Sequence, residues 1–193
     1  TAMIPFSDVN NPLNKKDIGM LNDFCKNVEK EFIEVGDAGE DNHLLVGRFM
    51  TDVEKPLIVD NPFSKKLLEI LSQKKIIELI KNILGIKEKI YFRRVQFNQL
   101  DKNCFVGYHL DTDSNPDYIA ACVIQLADNF EGGLYRVYKK DKTYTDYKPS
   151  LGSLILSNCH YPHEVTKIEK GTRISLVFFL CGHKSENLRD TKI

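Results

Sequence analysis

Apolar positions along the chain fall into two regimes that meet near Lys89. Ile18, Leu21, Phe24, Cys25, Val28 and Phe32 recur at three- and four-residue spacing, which paints one stripe along a helix. A second helical region follows Ser64, a candidate N-cap, and carries Leu67, Leu68, Ile70 and Leu71. Ser72 is a candidate cap for a third, with Ile76, Leu79, Ile80 and Ile83, stopped by Gly85. Between them lie an acidic, glycine-containing stretch from Val35 to Asn42, read as a surface loop, and a short candidate strand near Leu44 to Met50.

Beyond Lys89 the period shortens. Runs rich in Val, Ile, Tyr and Phe cover Ile90 to Leu100, Phe105 to Asp111, Tyr118 to Leu126, Leu134 to Tyr138, Ser153 to Ser157, His163 to Ile168 and Arg173 to Cys181. Gly132-Gly133, Pro149, Gly152, Pro162 and Gly171 punctuate them. Many short strands at this spacing predict a sandwich or barrel. The fold class expected is mainly β, of α+β type. A double-stranded β-helix (jelly-roll) core over about 89–182 is buttressed by helices over about 11–85. With no internal repeat or linker, residues 3–193 read as one domain, and Thr1-Ala2 ahead of Met3 read as a cloning remnant.

Composition narrows the classes. A chain of 193 residues is long enough for a full core, and 42% hydrophobic with 28% charged residues is ordinary for a soluble globular protein. Lys+Arg and Asp+Glu are both 27, so no global basic field draws in nucleic acid or an anionic membrane. A local basic patch stays open. No apolar run approaches the roughly 18 residues of a membrane span, and no secretory signal is expected. The cysteines, Cys25, Cys104, Cys122, Cys159 and Cys181, are five, scattered, and never in Cys-x-x-Cys. Free buried thiols in a reducing cytoplasm are expected rather than disulfides or a thiolate zinc site.

Candidate chemistry starts at Tyr108-His109-Leu110-Asp111. Residues two apart on a strand share a face, so an imidazole and a carboxylate can converge on one point. Alone, His-x-Asp reads first as a hydrogen-bonded pair at a polar strand end. His163 and, ten residues on, Arg173 change this reading. Arg173 lies in the apolar run TRISLVFFL, where a strand would bury it, and an unpaired buried guanidinium demands an anion. The alternative is a structural salt bridge. Two histidines and one carboxylate, with positions left open, are the ligand set of non-haem iron(II) oxygenases. Zinc is the competing metal, but it gives no reason for the buried arginine.

The order His109-x-Asp111, Asn129-Phe-Glu-Gly-Gly, Leu151-Gly-Ser-Leu-Ile-Leu, His163-x-Val, Gly171-x-Arg-x-Ser resembles the 2-oxoglutarate/iron(II) dioxygenase superfamily, most nearly its prolyl-hydroxylase-like branch. The resemblance covers roughly Tyr91 to Leu180. It implies His109, Asp111 and His163 as iron ligands, and Arg173 paired with the distal carboxylate of 2-oxoglutarate, with Ser175 donating beside it. The implied reaction consumes 2-oxoglutarate and O2, releases succinate and CO2, and hydroxylates a C–H bond of a protein side chain, an amino acid or another small metabolite. The relatives' strand tyrosine ahead of His-x-Asp is missing, with Asn98 nearest its place, which leaves Gln96 and Asn98 as substitute co-substrate contacts. Many relatives carry lysine where this chain has Arg173, so no particular prolyl substrate follows.

His160 rivals His163 but lacks the following x-Val and the spacing to Arg173. Tyr135, Arg136 and Tyr138 follow the Gly-Gly turn on a strand that lines the mouth in relatives, and are weak candidates for substrate contact. His43 and His183 have no partner pattern. Two other functions fit the residues less well. An AlkB-like nucleic-acid demethylase would carry a second arginine at position 179, where this chain has Phe179. A non-catalytic metal-binding jelly roll would have little reason to keep Arg173 and Ser175. Retention of Asp111 goes with hydroxylation, since halogenating relatives lack that carboxylate.

Overall fold

Alternation in the last strand sets the layers. Along Arg173–Cys181, Leu176, Phe178 and Leu180 are fully buried in one cluster with helical residues such as Leu21, Leu67 and Ile80. Arg173, Val177 and Phe179 lie on the opposite face and line an internal cavity. One strand thus serves an apolar core on one side and a site on the other.

The computed structural model describes residues 6–9, 12–35 and 41–189. Its elements in chain order are β1 (Phe6–Val9), α1 (Lys15–Asn27), β2 (Lys30–Val35), β3 (Asp41–Asp52), β4 (Pro56–Ile58), α2 (Ser64–Leu71) and α3 (Lys74–Leu84). There follow β5 (Tyr91–Leu100), β6 (Val106–His109), β7 (Ala120–Gln125), β8 (Phe130–Gly132), β9 (Tyr135–Tyr138) and β10 (Tyr144–Tyr147). The last are β11 (Leu154–Asn158), β12 (His163–Val165), β13 (Ile168–Gly171) and β14 (Arg173–Cys181). The major sheet runs β1-β11-β7-β14-β5-β3-β2, with β4 on β3. The minor sheet runs β10-β9-β12-β6, and β13 pairs with β8. The cavity is lined from both sheets, so the architecture is the expected double-sheet jelly roll, with the helices packed on the far face of the major sheet.

Several local expectations are corrected. The first helix ends at Asn27; Val28 turns extended, and Lys30–Val35 pairs with β3, leaving Phe32 exposed. The segment before residue 85 therefore also gives strands β2, β3 and β4 to the major sheet. Of the stretch read as an acidic loop, Val35 ends β2 and Asp41–Asn42 begin β3, while 36–40 lie outside the described residues, as do Thr1 to Met3. Ser64 is the first residue of α2 rather than its cap: Asn61 Oδ1 accepts the backbone N–H of both Phe63 and Ser64. Ser72 closes α2 by donating to the Leu68 carbonyl, and α3 starts without a side-chain cap. Gly85 ends α3 in the left-handed conformation, φ 68°, as its position predicts. The run expected from His163 to Ile168 splits into β12 and β13.

A buried ionic cluster fixes the segment after β6. Arg93 donates from Nη2 to Asp52 Oδ1 (2.8 Å) and from Nε to Oδ2 (3.2 Å). Asn115 Nδ2 and the Tyr118 hydroxyl donate to the same carboxylate at 3.0 and 2.9 Å. Burial pushes the Asp52 carboxyl up, but these donors and the guanidinium charge outweigh it and hold it below its ordinary value.

Candidate metal centre

His109 is the last residue of β6, and Asp111 begins a one-turn 3-10 helix (Asp111–Asp113). Strand alternation therefore does not bring them together, as the sequence suggested; the chain turns after Leu110 and folds the carboxylate back under the imidazole. His163 opens β12 directly opposite His109 in the ladder. His109 Nε2 lies 3.3 Å from Asp111 Oδ1, and His163 Nε2 lies 3.4 Å from Oδ2. Donors held about 2.1 Å from one ion at right angles sit roughly 3 Å apart, so the three residues fit a facial metal site.

The histidine tautomers fit as well. His109 Nδ1 is 2.7 Å from the Gly107 carbonyl and His163 Nδ1 is 3.3 Å from that of Tyr161. A carbonyl only accepts, so in the neutral rings Nδ1 carries the proton and Nε2 presents its lone pair towards Asp111. Asp111 Oδ2 is buried and accepts no hydrogen bond, which is costly unless a cation meets it. Burial pushes the Asp111 carboxyl up, but in the metal-free site His163 and His109, when protonated, and the Arg94 guanidinium bring it below its ordinary value. The site favours the ionised form that binds metal.

The same cavity, about 220 Å³, holds the other end of the motif. Arg173 is buried on β14, and among the described residues its Nε has no hydrogen-bond partner. Its one hydrogen bond as a donor among them is long, 3.4 Å from Nη1 to the fully buried Ser175 Oγ. Burial brings the Arg173 pKa down to about 10. No carboxylate of the described residues pairs with it, so a structural salt bridge among them does not account for its burial. Gly133, φ 59°, makes room for it: a Cβ there would lie 3.2 Å from Arg173 Cδ and 2.5 Å from Ile168 Cδ1. The Gly-Gly motif is thus part of the arginine's housing.

Gln96 and Asn98 both line the cavity, linked by a Gln96 Nε2 to Asn98 Oδ1 bond of 2.7 Å, with Asn98 opposite Ser175 in the ladder. Tyr135 also lines it, buried and stacked on His163 with centroids 5.3 Å apart. Arg136 and Tyr138, grouped with it in the sequence, alternate onto the other face of β9 and do not line the cavity. Arg136 is forked onto Asp146, and the Tyr138 hydroxyl donates to Glu164. His160 is exposed, His43 is exposed, and His183 pairs with Asp117 Oδ2 at 2.9 Å; none reaches the metal trio. Sequence reasoning overlooked Arg48 and Arg94, which line the cavity. The every-second-residue polar pattern Arg94, Gln96, Asn98 on a predicted strand was the available signal.

Residues 95–181 match the family model described as the 2OG-Fe(II) oxygenase superfamily. No curated protein matches the chain. Among solved structures, a 2OG-Fe(II) oxygenase family oxidoreductase from Burkholderia pseudomallei is 29% identical, with a TM-score of 0.90 over 96% of this chain and 89% of that one. A Pseudomonas putida prolyl-4-hydroxylase shares the fold at TM-score 0.67 and 18% identity, covering 92% of both chains. The epimerase SnoN, solved with Fe3+, alpha-ketoglutarate and nogalamycin RO, shares it at TM-score 0.71 and 8% identity, covering 93% of this chain and 79% of that one. The resemblance to the 2-oxoglutarate/iron(II) oxygenase superfamily is thus borne out over residues 95–181 and by the fold. The protein is an oxidoreductase whose cofactor is iron and whose co-substrate is 2-oxoglutarate.

Proposed function

We propose that His109, Asp111 and His163 hold the iron(II), that Arg173 and Ser175 hold the far carboxylate of 2-oxoglutarate, and that the enzyme hydroxylates a C–H bond of a protein side chain, an amino acid or another small metabolite. One observation carries the reading: a buried His-Asp-His trio shares a cavity with a buried arginine whose Nε is unpartnered. When bound, iron(II) with 2-oxoglutarate and O2 supplies the oxidising power, and succinate and CO2 leave. The chain's own residues position and shield. The Gly107 and Tyr161 carbonyls fix the imidazoles, Tyr135 packs against His163, and Ser175 orients the Arg173 fork. Val123, Val165 and Val177 give the cavity apolar walls that keep water from competing.

Gln96 and Asn98 are proposed as further co-substrate contacts, since both line the cavity beside Ser175. Phe179 stacks on Tyr118 at 4.9 Å, so an aromatic stack stands where a demethylase would carry its second arginine. Five buried free thiols support a cytoplasmic setting. The test is aerobic incubation of the iron-loaded enzyme with 2-oxoglutarate and pools of peptides and amino acids. Succinate formed in step with a product gaining one oxygen atom is expected; absence of succinate under all conditions contradicts the proposal.

A further inference from the structure

We infer that the primary substrate is a small organic acid, of the size of a free amino acid, whose carboxylate is received by the guanidinium of Arg94. The inference rests on the oxygenase reading above and deepens it by naming the substrate class.

Arg93 and Arg94 are adjacent on β5 and point to opposite faces. Arg93 is spent on Asp52, whereas Arg94 lines the cavity and lies over the ring of Phe179 at 5.4 Å. Its Nε donates to Gln96 Oε1 at 2.8 Å, and Gln96 in turn donates to Asn98, so the side chain is braced. Among the described residues no acceptor meets its two terminal nitrogens. A half-buried, braced guanidinium with its fork open into a cavity is suited to a carboxylate.

The charges of the filled site point the same way. The charges of iron(II), Asp111, Arg173 and the two carboxylates of 2-oxoglutarate sum to zero. Arg48, the other cation lining the cavity, is paired with Glu31 at 2.7 Å. Arg94 is left over. Arg48 stands opposite Gln96 in the β3–β5 ladder, a diagonal neighbour of Arg94.

2-Oxoglutarate itself does not account for Arg94. Arg173 pairs with Leu100 and Phe179 with Arg94, so the two arginines stand six residues apart along the β5–β14 ladder. At about 3.3 Å per residue their backbones are roughly 20 Å apart, so one carboxylate does not occupy both guanidiniums. Arg94 and the metal trio line one cavity, so a small molecule held at Arg94 lies within the same enclosure as the metal. The cavity, about 220 Å³ before the co-substrate enters, is small beside the roughly 300–1,000 Å³ of ordinary ligand pockets, which suits a small molecule.

The experiment uses enzyme loaded with iron(II) and 2-oxoglutarate under anaerobic conditions. The probes are the free L-amino acids, each beside its own carboxamide. Substrate entry is read from the change in the metal-to-ligand charge-transfer absorbance, and then from succinate release in air. At least one acid is expected to act at tenfold lower concentration than its amide. In Arg94→Gln that preference should collapse while the 2-oxoglutarate titration is unchanged, and Arg94→Lys should keep part of it. Equal responses to acid and amide, no response to any acid, or weakened 2-oxoglutarate binding in Arg94→Gln each overturn the inference. Failure of the oxygenase reading looks different: the wild type would give no charge-transfer band with 2-oxoglutarate at all.

Discussion

His109 and His163 face each other across the β6–β12 ladder with ring centroids 4.4 Å apart, although 53 intervening residues separate them in the chain. Strand pairing sets two corners of the metal site, and the turn at Leu110 supplies the third. The site is therefore as rigid as the minor sheet that carries it.

Each corner should be indispensable for metal. His109→Ala, Asp111→Ala and His163→Ala are expected to lose iron(II) binding, measured by equilibrium dialysis, while His160→Ala retains it because that side chain is exposed. Full iron occupancy in either His109→Ala or Asp111→Ala would contradict the ligand assignment. So would loss in His160→Ala with retention in His163→Ala.

Arg173 should behave as a binding group held at the expense of stability. Arg173→Met is expected to abolish 2-oxoglutarate binding yet leave the ligand-free protein as stable as the wild type or more so, because a poorly paired buried charge is removed. Arg173→Lys keeps charge but loses the fork, so co-substrate affinity should fall more than iron affinity. Ser175→Ala should cost about 1.5–3 kcal/mol in 2-oxoglutarate binding, roughly ten- to hundredfold. Thermal unfolding and anaerobic titration measure these effects; a large drop in melting temperature for Arg173→Met in the absence of ligand would argue for a structural arginine.

The same burial predicts a pH dependence. Arg173 is lowered to about 10 in the folded protein and returns towards its ordinary value on unfolding. The native state thus releases that proton first, and stability from this group rises, rather than falls, with pH through that window. Binding has the opposite sign, since it needs the charged form. Affinity for 2-oxoglutarate should be flat near neutrality and weaken as pH passes about 10. A steep decline near neutral pH would place another titrating group in control.

Gly133→Ala tests the housing of the arginine. The new Cβ must adopt a left-handed conformation, costing about 1–2 kcal/mol, and would press on Ile168 and Arg173. Weaker 2-oxoglutarate binding with unchanged iron affinity is expected; equal loss of both would mean general collapse of the β8–β9 turn.

Asp52→Ala tests the buried cluster behind the site. It strands Arg93 in a fully buried position, so destabilisation of about 3–5 kcal/mol is expected in denaturant unfolding. A loss below about 1 kcal/mol would show that water or rearrangement satisfies Arg93.

The pattern of chemistry was legible because it is local in sequence: His109 and Asp111 two residues apart, and His163 and Arg173 on consecutive strand regions. Periodicity likewise located β5, β7, β11 and β14 closely, since β5, β7 and β14 alternate between the helix-packed core and the cavity, and β11 between that core and a second apolar cluster. Strands β2, β4 and β10 were hidden because they are exposed: Phe32, Leu57 and Tyr144 lie at the surface, and their partners are set by tertiary pairing rather than by a buried face. The role of Asp111 was inferred from the wrong local geometry, because a one-turn 3-10 helix leaves no periodic signal. Arg94 was missed since adjacent arginines look alike until the pleat sends one to Asp52 and the other into the cavity.

The central claim is that one cavity binds iron(II) through His109, Asp111 and His163 and 2-oxoglutarate through Arg173. Its most direct measurement is anaerobic addition of iron(II) and then 2-oxoglutarate, followed by the visible charge-transfer absorbance of the chelate. One equivalent of each should saturate the band in the wild type; Asp111→Ala should give none, and Arg173→Met should bind iron(II) without developing it. A band of full intensity in either variant, or none in the wild type, would contradict the account.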